Sequence, residues 1–190
     1  MGERTLPDYL RPGLNIVSIG LNPSLRSVQA GVYFVNPRNR FWPALNASGL
    51  VPVPLDASAA ALERMFEVHG IGFTDVVKRA TAGGSELRAS DFRRWAPVLR
   101  EKLLRYRPTI AWFHGKLAYG NFVKYSEQGS PTCPWGEQER SIEGIRVFVT
   151  PNPSPANAAF SLEELIGWYR ELARLSECQS PDDASNSPSS

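Results

Sequence analysis

At 190 residues, 42% hydrophobic and 21% charged, the chain has the size and composition of one globular domain with a substantial core. Its formal net charge of +2 is too small to establish a nucleic-acid partner by itself. The two histidines, His69 and His114, stand in no ligand-spaced cluster, so no metal and no zinc-dependent deaminase chemistry is expected.

Residues 1–11 read as a loose leader ending before Pro12-Gly13, residues 12–176 as a single domain, and the Ser/Pro/Asp/Asn-rich stretch 177–190 as a disordered tail. Leu14 to Ile19 is β-branched and free of charge, the pattern of a buried strand. The chain then turns through Gly20-Leu21-Asn22-Pro23-Ser24, and two aromatic-rich stretches follow, Val32-Tyr33-Phe34 and Asn39-Arg40-Phe41-Trp42. A strand end bearing one amide and facing aromatics suits a flat polar ring, which points to nucleobase chemistry.

Short helices are expected over Phe41 to Ser48 and over Ala57 to Val68, the second stopped by Gly70. Gly72 to Val77 reads as a strand or extended segment, and the polar loop Thr81 to Ser85 precedes an amphipathic stretch, Ser90 to Tyr106, in which Pro97 should kink the helix or open its main part. Thr109 to Phe113 is a short buried strand, and Lys116 to Ser126 the helix after it. Glu143-Gly144 signals a hairpin between Arg140–Ile142 and Ile145–Val149, and Ser161-x-x-Glu164 is a capping box opening the last helix.

This alternation predicts an α/β fold, a three-layer α/β/α sandwich around a central, mostly parallel sheet. Ligands in such sheets bind beyond the C-terminal strand ends, where three polar turns fall: Gly20 to Ser24, Phe113 to Lys116 and Thr150 to Asn157. The chain lacks both GxGxxG and a Walker motif, which argues against a dinucleotide or nucleoside-triphosphate enzyme, and no cofactor is expected. Cys133 and Cys178 form no CxxC, and no apolar run approaches the ~20 residues of a membrane span, so a cytoplasmic location (bacterial cytosol or nucleoid) is expected.

Four segments in order, Gly20-Leu21-Asn22-Pro23-Ser24, Asn36-Pro37-x-Asn39-Arg40-Phe41-Trp42, Phe113-x-Gly115-Lys116-x-x-Tyr119 and Pro151-Asn152-Pro153-Ser154, resemble the mismatch-specific branch of the uracil-DNA glycosylases, which includes the thymine-DNA glycosylases. The likeness runs from about Leu14 to about Leu172. It implies a monofunctional glycosylase, expected to be a monomer, that flips uracil or a related damaged base from DNA and excises it hydrolytically, leaving an abasic site. In this resemblance Asn22 orients water, the backbone around Leu21 and Asn22 holds a base carbonyl, and Phe34, with Tyr33 beside it, supplies the base-binding platform. Asn152, Ser154 and Asn157 would contact DNA. Where the family often carries a larger wedge and a basic residue, this chain has Pro155-Ala156-Asn157-Ala158, which implies weak duplex invasion and leaves room for single-stranded substrates.

Three further residues are candidates on their own chemistry. Asp75 at a strand end could activate water or stabilise the sugar cation, or else cap the following turn. His114 could donate to base or phosphate, or simply pack. Lys116 at a helix start is placed for phosphate. Two alternatives accompany the leading reading: a glycosylase of the same fold acting on hypoxanthine, xanthine or another modified base, and a non-catalytic module binding damaged DNA or nucleobases.

Overall fold

In the computed structural model, residues 5–127, 129 and 132–178 are described. Five strands form one sheet in the order β2-β1-β3-β5-β4: β1 (Ile16–Gly20), β2 (Ile71–Asp75), β3 (Ile110–His114), β4 (Gly136–Glu137) and β5 (Arg146–Thr150). The first four in that order run parallel, and β4 adds an antiparallel edge. Every residue of β1, β2 and β3 is buried, as a parallel sheet covered on both faces requires.

Strand alternation divides the core in two. Ile16, Phe73, Trp112 and Phe148 face helices α2 (Phe41–Ser48), α3 (Ala59–Glu67) and α6 (Leu162–Glu177), while Val17, Ile19, Phe113 and Val147 face α4 (Ala89–Tyr106) and α5 (Lys116–Phe122). On the first face Phe41, Trp112 and Tyr169 interlock at ring separations of 4.7 to 6.2 Å. Burying each of these side chains contributes about 1.5–3 kcal/mol. The three-layer architecture expected from the sequence is the one observed.

Several local expectations hold in detail. The helix over Phe41–Ser48 has the expected limits. The capping box at α6 is formed, with Ser161 N–H donating to Glu164 Oε2 at 2.7 Å and Glu164 N–H to Ser161 Oγ at 3.2 Å. The Glu143-Gly144 turn takes positive φ at both residues, 49° and 90°, and closes an isolated Ile142–Ile145 bridge, but residues 140–142 form no strand, and the antiparallel partner of β5 is Gly136–Glu137.

Other elements differ. The six-residue helix α1 (Leu25–Ala30), capped by Ser24, was not anticipated. Helix α4 runs unbroken through Pro97, and the helix after β3 passes into a π-helical turn at Val123–Glu127. Residues 5–11, expected to be a loose leader, are docked along the free edge of β2. Tyr9 exchanges backbone hydrogen bonds with Phe73 at 2.9 and 3.1 Å, Leu6 is buried in the core, and Asp8 accepts from Lys78, Thr74 and Lys102. Residues 1–4 of that leader, and all but the first two of the tail 177–190, lie outside the described residues.

Candidate active site

The strand order reverses direction between β1, which leads out to β2, and β3, which leads the other way to β5. The crevice beyond such a switch point is where doubly wound sheets bind ligands. A cleft of about 610 Å³ opens there. Four segments wall it: the β1 turn with the start of α1, residues 33–39, the loop 81–84 and the loop 152–157. Its floor holds the last residues of β2, β1 and β3, Asp75, Gly20 and His114.

Asn22 is the most constrained side chain in the cleft. Its Nδ2 donates to Thr81 Oγ1 at 2.7 Å, to the carbonyl of Arg79 at 3.0 Å and, more weakly, to that of Pro23 at 3.3 Å. Two of these acceptors are carbonyl oxygens, and Thr81 spends its own proton on the Gly83 carbonyl at 2.9 Å, so the amide can point only one way. Oδ1 therefore faces away from the loop, and among the described residues nothing donates to it. The turn itself is pinned from β2 onward by Val76 N–H to Gly20 O (2.9 Å), Val77 N–H to Leu21 O (3.0 Å) and Thr81 N–H to Pro23 O (3.2 Å). The N–H groups of Leu21 and Asn22 take no part in that pinning.

Phe34 has a φ of 55°, a left-handed backbone that a bulky residue adopts only when its surroundings enforce it. Its ring stacks on Phe41 at 4.1 Å and meets the edge of His114 at 5.2 Å, so a half-buried aromatic plane is fixed in the same cleft that Asn22 lines. Tyr33 lines the cleft as well, but its ring is buried and its hydroxyl donates to the Pro7 carbonyl at 3.1 Å.

On the floor, Asp75 is buried, and burial pushes its carboxyl up to about 6 against the opposing pull of Lys78, whose Nζ is 3.7 Å from Oδ2. Oδ1 lies over Gly20: a Cβ at that position would come within 2.5 Å of it, so only glycine leaves room. His114 is fully buried, and desolvation lowers it to about 3, which keeps the ring neutral. Its Nε2 is 2.8 Å from Ser18 Oγ, and its Nδ1 has no partner.

The loop 152–157 is self-braced. Asn152 Oδ1 accepts from Ser154 N–H at 2.8 Å, and Asn157 Nδ2 donates to Asn152 O at 3.0 Å. Arg40 at the start of α2 holds the whole loop. Its guanidinium donates to the carbonyls of Ser154 (3.0 Å), Asn157 (2.6 Å), Pro153 (3.4 Å) and Phe160. Arg40, Thr81 and Ser18 are the residues that reading the sequence did not single out. Ser18 carried a signal, being the one hydroxyl inside an apolar strand, and Arg40 lay within a quoted motif.

Thus Asn22, Leu21, Phe34, Tyr33, Asp75, His114, Asn152, Ser154 and Asn157 all line one cleft. Lys116 does not. It is exposed, with Nζ 4.4 Å above the Trp135 ring.

Comparison with known proteins agrees with this geometry. A Methanosarcina acetivorans protein, solved by NMR and provisionally named a uracil DNA glycosylase, shares the fold with a TM-score of 0.54 and 22% identity over 90% of this chain and 98% of that one. Residues 7–173 match the model of the uracil DNA glycosylase superfamily. Since that match spans the chain from the β2 edge to α6 and includes all four segments that wall the cleft, the chain belongs to the uracil DNA glycosylase superfamily, whose members are DNA glycosylases.

Proposed function

We propose that this chain is a monofunctional DNA glycosylase of the mismatch-specific branch, which flips uracil or a closely related damaged base out of DNA and hydrolyses its N-glycosidic bond. The observation that carries the reading is Asn22: it lines the cleft, three acceptors hold its amide nitrogen, and among the described residues nothing donates to its oxygen. An amide cannot take up a proton at neutral pH, but a fixed amide oxygen can align a water for attack on the sugar carbon. As the bond breaks, positive charge develops on the sugar and negative charge on the departing base. The N–H groups of Leu21 and Asn22 would hold a carbonyl of that base and stabilise its charge. Phe34, backed by Phe41, would replace the stacking lost on leaving the duplex. Among the described residues lining the cleft there is no lysine, which supports direct hydrolysis over an amine-linked intermediate.

Single-turnover release of uracil from a G·U duplex tests the proposal. Asn22→Ala should slow release by ~10²-fold or more, the scale of losing a preorganised polar group. Undiminished release by that variant would remove Asn22 from the mechanism. DNA or nucleobase binding without base release from any substrate would instead support a non-catalytic recognition module.

A further inference from the structure

The strap formed by residues 5–11 brings a charge network up to the cleft from outside it. Leu6 lines the cleft, the Pro7 carbonyl accepts from the Tyr33 hydroxyl, and Asp8 sits between two lysines. Asp8 Oδ1 accepts from Lys78 Nζ at 2.7 Å and from Thr74 Oγ1 at 2.8 Å, and its Oδ2 accepts from Lys102 Nζ at 2.6 Å. Lys78 is buried and faces a second carboxylate, with Nζ 3.7 Å from Asp75 Oδ2. That distance is too long for a hydrogen bond but close enough for a strong charge interaction. One ammonium group is thus shared unequally between two carboxylates, and Asp8 has the closer contact. Asp75 is the only carboxylate among the described residues lining the cleft. We propose that Asp8 is a positioning residue for base excision: it holds Lys78 out of a contact ion pair with Asp75 and so leaves the Asp75 carboxylate available to the cleft.

The geometry explains why Asp8 takes the lysine. Donors converge on it from three elements: Thr74 in β2, Lys78 in the turn after β2 and Lys102 in α4. Against the cost of its burial, Lys78 and Lys102 hold the Asp8 carboxyl below the usual carboxylate range, so it is charged wherever Asp75 titrates. The groups facing Asp75 are Lys78, Asp8 and the Tyr33 hydroxyl, with Lys102 behind Asp8 and the neutral His114 at the end of β3. Without the charge on Asp8, Lys78 has one carboxylate left to meet. A contact pair there would hold Asp75 ionised to lower pH and occupy Oδ2 with an ammonium group. Kept out of such a pair, the carboxylate retains its charge for the developing sugar cation or for a water. The strap therefore supplies both a wall of the cleft, through Leu6, and the setting of its one carboxylate, through Asp8.

This inference rests on the glycosylase reading for the reaction, but its first readout needs no turnover. The titration of the Asp75 carboxyl is followed by carbon-detected NMR in the wild type, in Asp8→Asn and in Lys102→Met. Single-turnover uracil release from a G·U duplex is measured over the same pH range. Asp8→Asn keeps an oxygen for Thr74 but frees Lys78, and the Asp75 midpoint should fall by about 1 pH unit. The rise of its excision rate should move to lower pH by the same amount, making the variant about 5-fold faster at pH 5 relative to its own plateau. Lys102→Met removes a cation that touches Asp8 and does not line the cleft, so Asp8 draws Lys78 more strongly. The midpoint should then move up, by less. If Asp8 only anchors the strap, Asp8→Asn loses stability and rate evenly across pH, and an unmoved midpoint in both variants overturns the proposal. A midpoint that moves while the excision profile stays in place overturns the role in excision. A midpoint that moves in a wild-type protein releasing no base at any pH supports the hold of Asp8 on Lys78 and removes the glycosylase reading instead.

Discussion

The amide nitrogen of Asn22 is 2.7 Å from the hydroxyl of Thr81, 59 residues further along the chain, and that hydroxyl is itself oriented by donating to the Gly83 carbonyl. The relationship converts a side chain with two rotatable bonds into a fixed acceptor. Thr81→Val keeps shape and removes the acceptor, leaving Asn22 with the two carbonyls. Losing one neutral hydrogen bond is worth about 1 kcal/mol, so the single-turnover rate should fall about 5-fold with DNA affinity unchanged. Thr81→Ser should restore it. A Thr81→Val enzyme as fast as wild type would show that the Arg79 and Pro23 carbonyls alone orient the amide.

Arg40 governs a different property, the position of the DNA-facing loop. One guanidinium satisfies carbonyls from Pro153 to Phe160, and bonds from a charged donor are about twice as strong as neutral ones. Arg40→Lys keeps the charge but cannot reproduce the planar fork. The half-saturating DNA concentration should rise about 10-fold in that variant, with a smaller change in the rate at saturation, and amide exchange across 152–160 should accelerate. Protection of that loop at wild-type levels would show that its internal Asn152–Asn157 bracing is sufficient.

These two residues also mark the limit of what the sequence discloses. The Asn22 turn was legible because its cause is local: a buried strand must end, and Gly-Leu-Asn-Pro ends it with one amide at the edge. The same holds for the α2 limits and the Ser161–Glu164 box, set by residues three or four apart. Arg40 finds its acceptors about 115 residues away, and Thr81 and Asn22 meet across a crossover. The docking of the leader is illegible for the same reason. Nothing local orders residues 5–11, which are held by Phe73, Lys78 and Lys102. The pairing of His114 with Ser18 likewise appears only once β3 lies beside β1.

Gly20 is required for the space above it, which the Asp75 carboxylate fills. Gly20→Ala places a methyl 2.5 Å from Oδ1 and must push the carboxylate aside or spread β1 from β2. Overpacking of this kind costs about 1–3 kcal/mol. Both a lower denaturation midpoint and impaired excision are expected, and Asp75→Ala in the same chain should recover much of the stability without recovering activity. A fully stable Gly20→Ala protein would mean that the carboxylate does not lie over this residue.

Asp75 also gives the fold a pH dependence opposite in sign to that of a salt-bridged surface carboxylate. Burial raises its carboxyl from 3.8 to about 6, Lys78 opposing and Asp8 adding to the rise. Between those values the native state holds a proton that the unfolded chain has released. The stability is therefore full below about pH 4 and is lost as the pH climbs through about 6, a total on the order of 3 kcal/mol. Asp75→Asn has no such proton to lose, and Lys78 keeps its 2.7 Å ion pair with Asp8 in that variant. Urea denaturation should find the two proteins similar near pH 4.5 and the variant more stable at pH 7.5. The excision rate of the wild type should rise through about pH 6 as the carboxylate acceptor forms, a step absent from the Asp75→Asn profile. A stability gap that fails to widen between the two pH values would show that the fold holds the ionised carboxylate without strain.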